Sequence, residues 1–205
     1  MSKGFIVVIT APSGAGKTTI CHRIEKNMEE IMYSISATTR KKRKDEIDGK
    51  DYYFLKEREF KNKIEKNDFA EWAFVHGNFY GTPKDNIETI IQEGKILIMD
   101  IDVQGAMNIQ RSFPNSSVLI FVLPPRLSYL KERLLKRKQD NIETIEMRLL
   151  NAKEEIMSID KFDYLVINSD LDEAVENVTR IIETEELKVK RNLEIINKLK
   201  EDIDG

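Results

Sequence analysis

A chain of 205 residues, 40% apolar and 34% charged, suits one compact, well-solvated domain with insertions rather than a disordered polymer. No apolar run approaches the roughly 20 residues of a membrane helix, the first residues read as no signal peptide, and a lone cysteine, Cys21, excludes an internal disulfide framework. The net charge of −3 gives no general attraction to nucleic acid, so a cytoplasmic protein acting on small molecules is expected, with no nucleic-acid or membrane partner. Two basic clusters stand out against that balance, Arg40 to Lys44 and Lys131, Arg133, Lys136, Arg137 and Lys138. Individual lysines there fit a solvated face, but together the clusters point to phosphorylated small ligands.

Phe5 to Thr10 is an unbroken apolar, β-branched run, the pattern of a strand buried on both faces of a parallel sheet. Ala11-Pro-Ser-Gly-Ala-Gly-Lys-Thr-Thr19 follows, and its glycines at 14 and 16 let the chain turn sharply into a helix opening at Lys17. Unpaired amide N–H groups at that helix start form a concavity suited to phosphate. Lys17 would reach the β- and γ-phosphates and the Thr18 hydroxyl would join the shell of a Mg²⁺ ion. Ser13, Gly14, Ala15, Gly16, Lys17, Thr18 and Thr19 are therefore the expected triphosphate cradle. Ala11 departs from the pattern, which begins with glycine; its methyl is tolerated if φ stays negative. An ordinary glycine-rich turn is the bland alternative, and Gly-Lys-Thr directly after a strand argues against it.

The following helix is expected from about Lys17 to Glu30, with Cys21 packed inside it. Tyr33 to Arg40 alternates and is rich in hydroxyls, a strand end opening on a site; Tyr52 to Leu55 is a short strand, and Glu57 to Asn67 a helix with Phe60 and Ile64 inward. Two strands at Phe69 to Val75 and Phe79-Tyr80 join through His76-Gly-Asn78. Thr82-Pro83 reads as a hydroxyl cap with proline at the first helical position, and Gly94 ends that helix. Lys95 to Asp100 is a core strand ending in an acid, where phosphate-loop proteins place a residue near the metal. Asp102 lies on the same side if the strand continues; both acids also fit caps or turns. Ser117 to Leu123 is another buried strand, followed by helices at Leu127 to Lys138 and Ile142 to Ser158. Asp163 to Asn168 is a last strand, and a helix from Leu171 fades after Glu185 into a charged, solvated tail. The alternation predicts an α/β doubly wound parallel sheet with two insertions.

The phosphate loop, the Ser36 to Arg43 segment, Glu71-Trp72, Gly77-Asn-Phe-Tyr-Gly81 and Asp100-Ile-Asp-Val-Gln-Gly105 closely resemble guanylate kinase in order and spacing, over residues 4 to about 185. The resemblance implies phosphorylation of GMP, and of dGMP, by ATP with Mg²⁺. It also implies a P-loop NTPase-type fold in which a GMP-binding subdomain and a helical lid are inserted. The core would be about 1–33, 84–125 and 159–190, the insert 34–83, the lid 126–158 and the tail 186–205.

Residue by residue, Ser36 would touch the base, Arg40 and Arg43 the GMP phosphate, and Tyr52 and Tyr80 the same phosphate through their hydroxyls. Glu71 would read guanine with Thr82 beside it. Asp100 and Asp102 match the acidic pair, Asp100 with Thr18 serving the metal, partly through water, and Asp102 facing GMP. Arg133, Arg137 and Arg148 match lid arginines that close over the transferring phosphate. Lys136 and Lys138 flank Arg137 where the family often carries glycines. Asn168 matches an asparagine near the adenine of ATP.

The residues support these roles without the family name. A carboxylate can accept from guanine N1–H and its 2-amino group together, whereas adenine would leave it buried and unpaired, a discrimination of about 10⁴–10⁵. A GMP phosphate is already anionic and needs no general base, so His22 and His76 read as structural. The alternative from another class is a catalytically inactive interaction module on the same fold; retention of Lys17, Thr18, Asp100 and the lid arginines argues against it. Oligomeric state is not legible.

Overall fold

The computed structural model describes residues 4–75, 77–84, 87–136 and 142–204. In chain order it contains β1 (Ile6–Thr10), α1 (Lys17–Asn27), β2 (Ile31–Tyr33), β3 (Ala37–Thr38), β4 (Tyr53–Phe54), α2 (Glu57–Glu65), β5 (Phe69–Val75), β6 (Asn78–Pro83) and α3 (Ile87–Gln92). Then come β7 (Ile96–Asp100), α4 (Val103–Ser112), β8 (Ser117–Leu123), α5 (Ser128–Lys136), α6 (Ile142–Ile156), β9 (Tyr164–Ile167), α7 (Leu171–Glu186) and α8 (Leu193–Asp204).

The apolar runs at β1, β7 and β8 have no solvent-facing side, and they become the middle of a five-stranded parallel sheet in the order β2-β7-β1-β8-β9. Ile6 stands opposite both Leu97 and Ser117. One face packs Val7, Ile9 and Ile98 against Ile20 and Ile24 of α1 and Val175, Val178 and Ile182 of α7. The other packs Ile6, Val8 and Leu97 against Ile87 and Ile91 of α3 and Ile109 of α4. Helices on both faces make the sheet doubly wound.

A second sheet, in the order β4-β3-β6-β5, is built by residues between the first helix and α3. Its core is aromatic: Phe60 of α2 stacks on Phe69 and Phe79, with ring centroids 4.4 and 5.4 Å apart. The hydroxyls of the Ser36 to Arg40 segment have structural partners here. Thr38 Oγ1 donates to the Phe79 carbonyl, and Thr39 Oγ1 accepts from the Phe79 N–H, both at 2.9 Å, fastening β3 to β6.

Four features depart from the sequence expectations. Thr82 and Pro83 end β6 instead of opening a helix; the Thr82 hydroxyl is spent on Glu71, at 2.7 Å, and is not a cap. The strand after Asp100 does not continue to Asp102. Asp102 N-caps α4, accepting from the Gly105 N–H at 2.7 Å, in a helix the sequence reading leaves unassigned. The first helix stops at Asn27, not Glu30. The tail is not wholly solvated: after a 3₁₀ turn, Arg191 is buried, with its guanidinium 3.9 Å above the Phe5 ring. It donates to Glu185 Oε2 and to the Glu185 carbonyl, both at 2.9 Å. The hydroxyl of Tyr164 donates to the other carboxylate oxygen of Glu185 at 2.6 Å.

Candidate active site

The phosphate loop is shaped by its glycines. Gly14 has φ 90° and Gly16 φ 97°, values that favour glycine, and Gly16 occupies the N-cap of α1 in the left-handed region. No side chain caps α1, so its amide groups face the cavity that the loop lines. Ala11 stays out of the left-handed region: among described non-glycine residues only Asn67 enters it.

One cavity gathers most of the expected residues. Ser13, Gly14, Gly16, Lys17, Thr18 and Thr19 line it from the loop, and Ser36, Arg40, Arg43, Tyr52, Glu71 and Tyr80 from the segment carrying the second sheet. Asp100, Asp102 and Arg148 complete the wall. Arg148 of α6 reaches the loop directly, its Nη1 donating to Ser13 Oγ at 3.3 Å. Ala15 and Thr82 are buried just behind the wall. Asn168, expected beside adenine, is turned inward and braces the loop from behind, its Nδ2 donating to the Ala15 carbonyl at 2.7 Å. Arg137, Lys138 and His76 lie outside the described residues, as do the side chains of Arg133 and Lys136.

Electrostatics divide this cavity. Burial pushes the Glu71 carboxyl up to about 7, against the Thr82 hydrogen bonds that favour its ionised form, and Asp102 adds to the rise. Its Oε1 accepts from Thr82, and its Oε2 sits against Gly105. Arg40 holds Glu46 in a forked pair at 3.0 and 2.7 Å, while the Arg43 N–H donates to the same carboxylate at 2.8 Å. Burial works against both charges of that pair, yet the contact keeps the Arg40 guanidinium protonated and holds the Glu46 carboxyl below its ordinary value. Arg40 also lies 5.3 Å above the Tyr52 ring, so its fork is fixed by stacking as well as charge.

At the carboxyl end of β7, Asp100 accepts from the Thr18 hydroxyl on Oδ2 and from the Tyr33 hydroxyl on Oδ1, the latter at 2.6 Å. A hydroxyl and a buried carboxylate are hard oxygen donors. Two such groups beside a phosphate cradle fit a Mg²⁺ that brings its remaining ligands as phosphate and water. Burial and the Asp100 charge raise the Tyr33 phenol far above its ordinary value, so it stays a donor.

The sequence assigns no role to Tyr33, Glu46 or Glu155, and Gly105 enters it only as the end of the Asp100 to Gly105 motif. Glu155 of α6 enters the same cavity and is raised to about 7 by burial, with Lys17 opposing the shift. Nothing in Lys153-Glu-Glu155 distinguishes it from a surface helix. Glu46 had a faint signal, an acid three residues after Arg43 in a basic loop.

A cavity with a phosphate cradle on one wall and a buried, hydroxyl-supported carboxylate on the other accords with the comparisons. The family model described as guanylate kinase matches residues 3–185. The chain belongs to the guanylate kinase family. A guanylate kinase of Thermotoga maritima is 45% identical over 203 residues, covering 99% of this chain and 98% of that one. One from Carboxydothermus hydrogenoformans is 46% identical over 191 residues, 93% of each chain. The crystal structure of guanylate kinase from Anaplasma phagocytophilum superposes with a TM-score of 0.82 at 32% identity, over 95% of this chain and 94% of that one. The parallel sheet and its flanking helices are thus those of the guanylate kinase family.

Proposed function

We propose that the one cavity is a two-substrate site, the phosphate loop taking ATP and the Glu71 wall taking GMP. The reaction is that of the family, ATP-dependent phosphorylation of GMP to GDP, and we extend it to dGMP as a slower acceptor. The observation that carries the residue assignment is the Glu71 carboxylate, buried and already engaged by Thr82, facing the same cavity as Lys17 and Thr18.

Guanine would give N1–H and its 2-amino group to Glu71, with Ser36 and Thr82 at its edge. Its phosphate would displace Glu46 from the Arg40 fork and take Arg43, Tyr52 and Tyr80 as further donors. Asp102, the cap of α4 and part of the cavity wall, would face GMP. On the opposite wall the loop amides and Lys17 would hold the β- and γ-phosphates. Mg²⁺ would be held through Thr18 and, partly by way of water, Asp100, and supplies neutralising charge on the phosphate oxygens when bound. The acceptor oxygen carries no proton at neutral pH, so alignment and charge do the catalytic work. Lys17, Arg148 and the lid residues Arg133 and Arg137 would stabilise the charge that spreads over the transferred group. We divide the chain into core, insert and lid at the boundaries given above, and closure of insert and lid would exclude water as a competing acceptor. No described helix is long and apolar enough to cross a membrane, and the buried thiol of Cys21 suits the reducing cytoplasm where we expect the enzyme to act.

A coupled ADP-release assay with Mg²⁺ tests the assignment. GMP is expected as the good acceptor, dGMP slower, and AMP, CMP and UMP poor. Turnover of AMP equal to that of GMP would reject Glu71 as the base reader.

A further inference from the structure

The acid at the end of β7 has two oxygens and only one faces the phosphate loop. Oδ2 takes the Thr18 hydroxyl, while Oδ1 points the other way and is met by Tyr33 at 2.6 Å. This meeting is set by the sheet. In the parallel pairing of β2 with β7, Tyr33 stands opposite Ile98, so it shares a face with Ile98 and, two residues on, with Asp100. That is the face covered by α1. Helix α1 then serves both ends of the arrangement. Thr18 is in its first turn, and His22, four residues on along the same side, lays its ring 4.6 Å from the Tyr33 ring at 49°. One helix therefore supplies the hydroxyl for Oδ2 and packs the phenol that serves Oδ1.

We propose that Tyr33 is a positioning residue for phosphoryl transfer: its phenol fixes the plane of the Asp100 carboxylate, so that Oδ2 accepts the hydrogen bond of the Thr18 hydroxyl and leaves the lone pairs of Thr18 free for a nucleotide-borne divalent cation. This rests on the reading that Thr18 and Asp100 serve the metal. Asp100 is only 6% exposed, so water does not replace a missing partner at Oδ1 cheaply. Without the phenol the carboxylate is free to rotate, and the Thr18 hydroxyl loses its fixed acceptor. Partners one step removed from a metal typically change its affinity by about 10–100-fold.

The test measures Mn²⁺ binding by electron paramagnetic resonance, using full-length enzyme saturated with a non-hydrolysable ATP analogue. Tyr33→Phe keeps the ring and its packing on His22 and removes only the hydroxyl. It should weaken Mn²⁺ about tenfold, raise the Mg²⁺ concentration for half-maximal turnover by a similar factor, and leave the KM for GMP unchanged. In an Asp100→Asn background the same change should have no further effect on Mn²⁺ affinity, because the phenol acts only through that carboxylate. If Asp100→Asn weakens Mn²⁺ and Tyr33→Phe does not, the proposal is overturned and the metal assignment stands. If Asp100→Asn leaves Mn²⁺ affinity unchanged, the metal assignment falls, and the role of Tyr33 with it. Equal losses from Tyr33→Phe in both backgrounds would also overturn the proposal.

Discussion

The backbone of Gly105 passes so close to the Glu71 carboxylate that a methyl group on it would stand 2.7 Å from Oε2. Glu71 is thus confined from two sides, by Gly105 against one oxygen and by the Thr82 hydroxyl on the other. Gly105 keeps its own place because Asp102 caps its N–H at the start of α4. On the proposed assignment, Gly105→Ala should therefore push the carboxylate out of register with guanine. A loss of about 1–3 kcal/mol, the scale of a misplaced buried hydrogen-bonding group, corresponds to a rise in the KM for GMP of about 5–150-fold. The KM for ATP should hold, and steady-state kinetics with each substrate varied in turn would separate the two.

The raised value of Glu71 gives a pH dependence with a definite sign. The folded protein holds this proton up to about pH 7, whereas an ordinary glutamate releases it near 4.5. Ionising Glu71 therefore costs stability: the cost is absent below 4.5, grows between 4.5 and 7, and is complete above 7, at about 3 kcal/mol. If Glu71 reads guanine as proposed, GMP needs the ionised form, and kcat/KM for GMP should fall as pH drops below about 7. A profile from pH 5.5 to 9 checks this, with Glu71→Gln as the comparison. That variant should bind GMP more weakly, lose the bend near 7, and melt at a higher temperature than the parent at pH 8.

Arg40 is held in its fork by Glu46 and by the Tyr52 ring before any phosphate arrives. Arg40→Ala should weaken GMP by about 10–150-fold, the scale of a charged hydrogen bond at about 1.5–3 kcal/mol. Guanosine, which lacks the phosphate, should bind parent and variant equally in a competition assay. Equal weakening of both ligands would move Arg40 out of the phosphate site.

The tail offers a stability test away from the cavity. Arg191 and Glu185 are both buried and share a charged hydrogen bond at 2.9 Å. Arg191→Ala removes one donor from the buried Glu185 carboxylate, which keeps Lys188 and the Tyr164 hydroxyl as partners, so it should cost about 1.5–3 kcal/mol, the scale of one charged hydrogen bond, and lower Tm by about 5–10 °C. Replacing both with leucine should cost much less, and thermal melts of the single and double variants decide it.

What could be read from the chain followed physical distinctness. The central strands and the phosphate loop were legible because a continuous β-branched run and a glycine-bent turn each have one cheap structural solution. The Glu71, Arg40 and Arg43 assignments came from spacing resemblance, since a surface glutamate and a buried one look alike in a string. Thr82-Pro83 misled because the same pair suits a helix cap and a strand end; a carboxylate eleven residues upstream decided between them. Asp102 was ambiguous for the same reason, and the cap won, which exposed α4. Tyr33 was hidden by its distance from Asp100 along the chain, bridged only by strand register. The tail's charge pointed outward, while Arg191 folded back because Glu185 and the Phe5 ring offered it a partner on each side.

The placement of β1 has a consequence for how the molecule is made. It is the middle strand of its sheet and is made before both of its neighbours, so its two edges stay bare until Leu97 and Ser117 have been synthesised. Such long-range pairing slows folding and leaves a sticky apolar segment waiting through much of translation. Phe5, beside that strand, is covered by a side chain made only at position 191. A ribosome stalled before β8 would thus present β1 with a bare edge, an aggregation-prone stub instead of a half-working kinase.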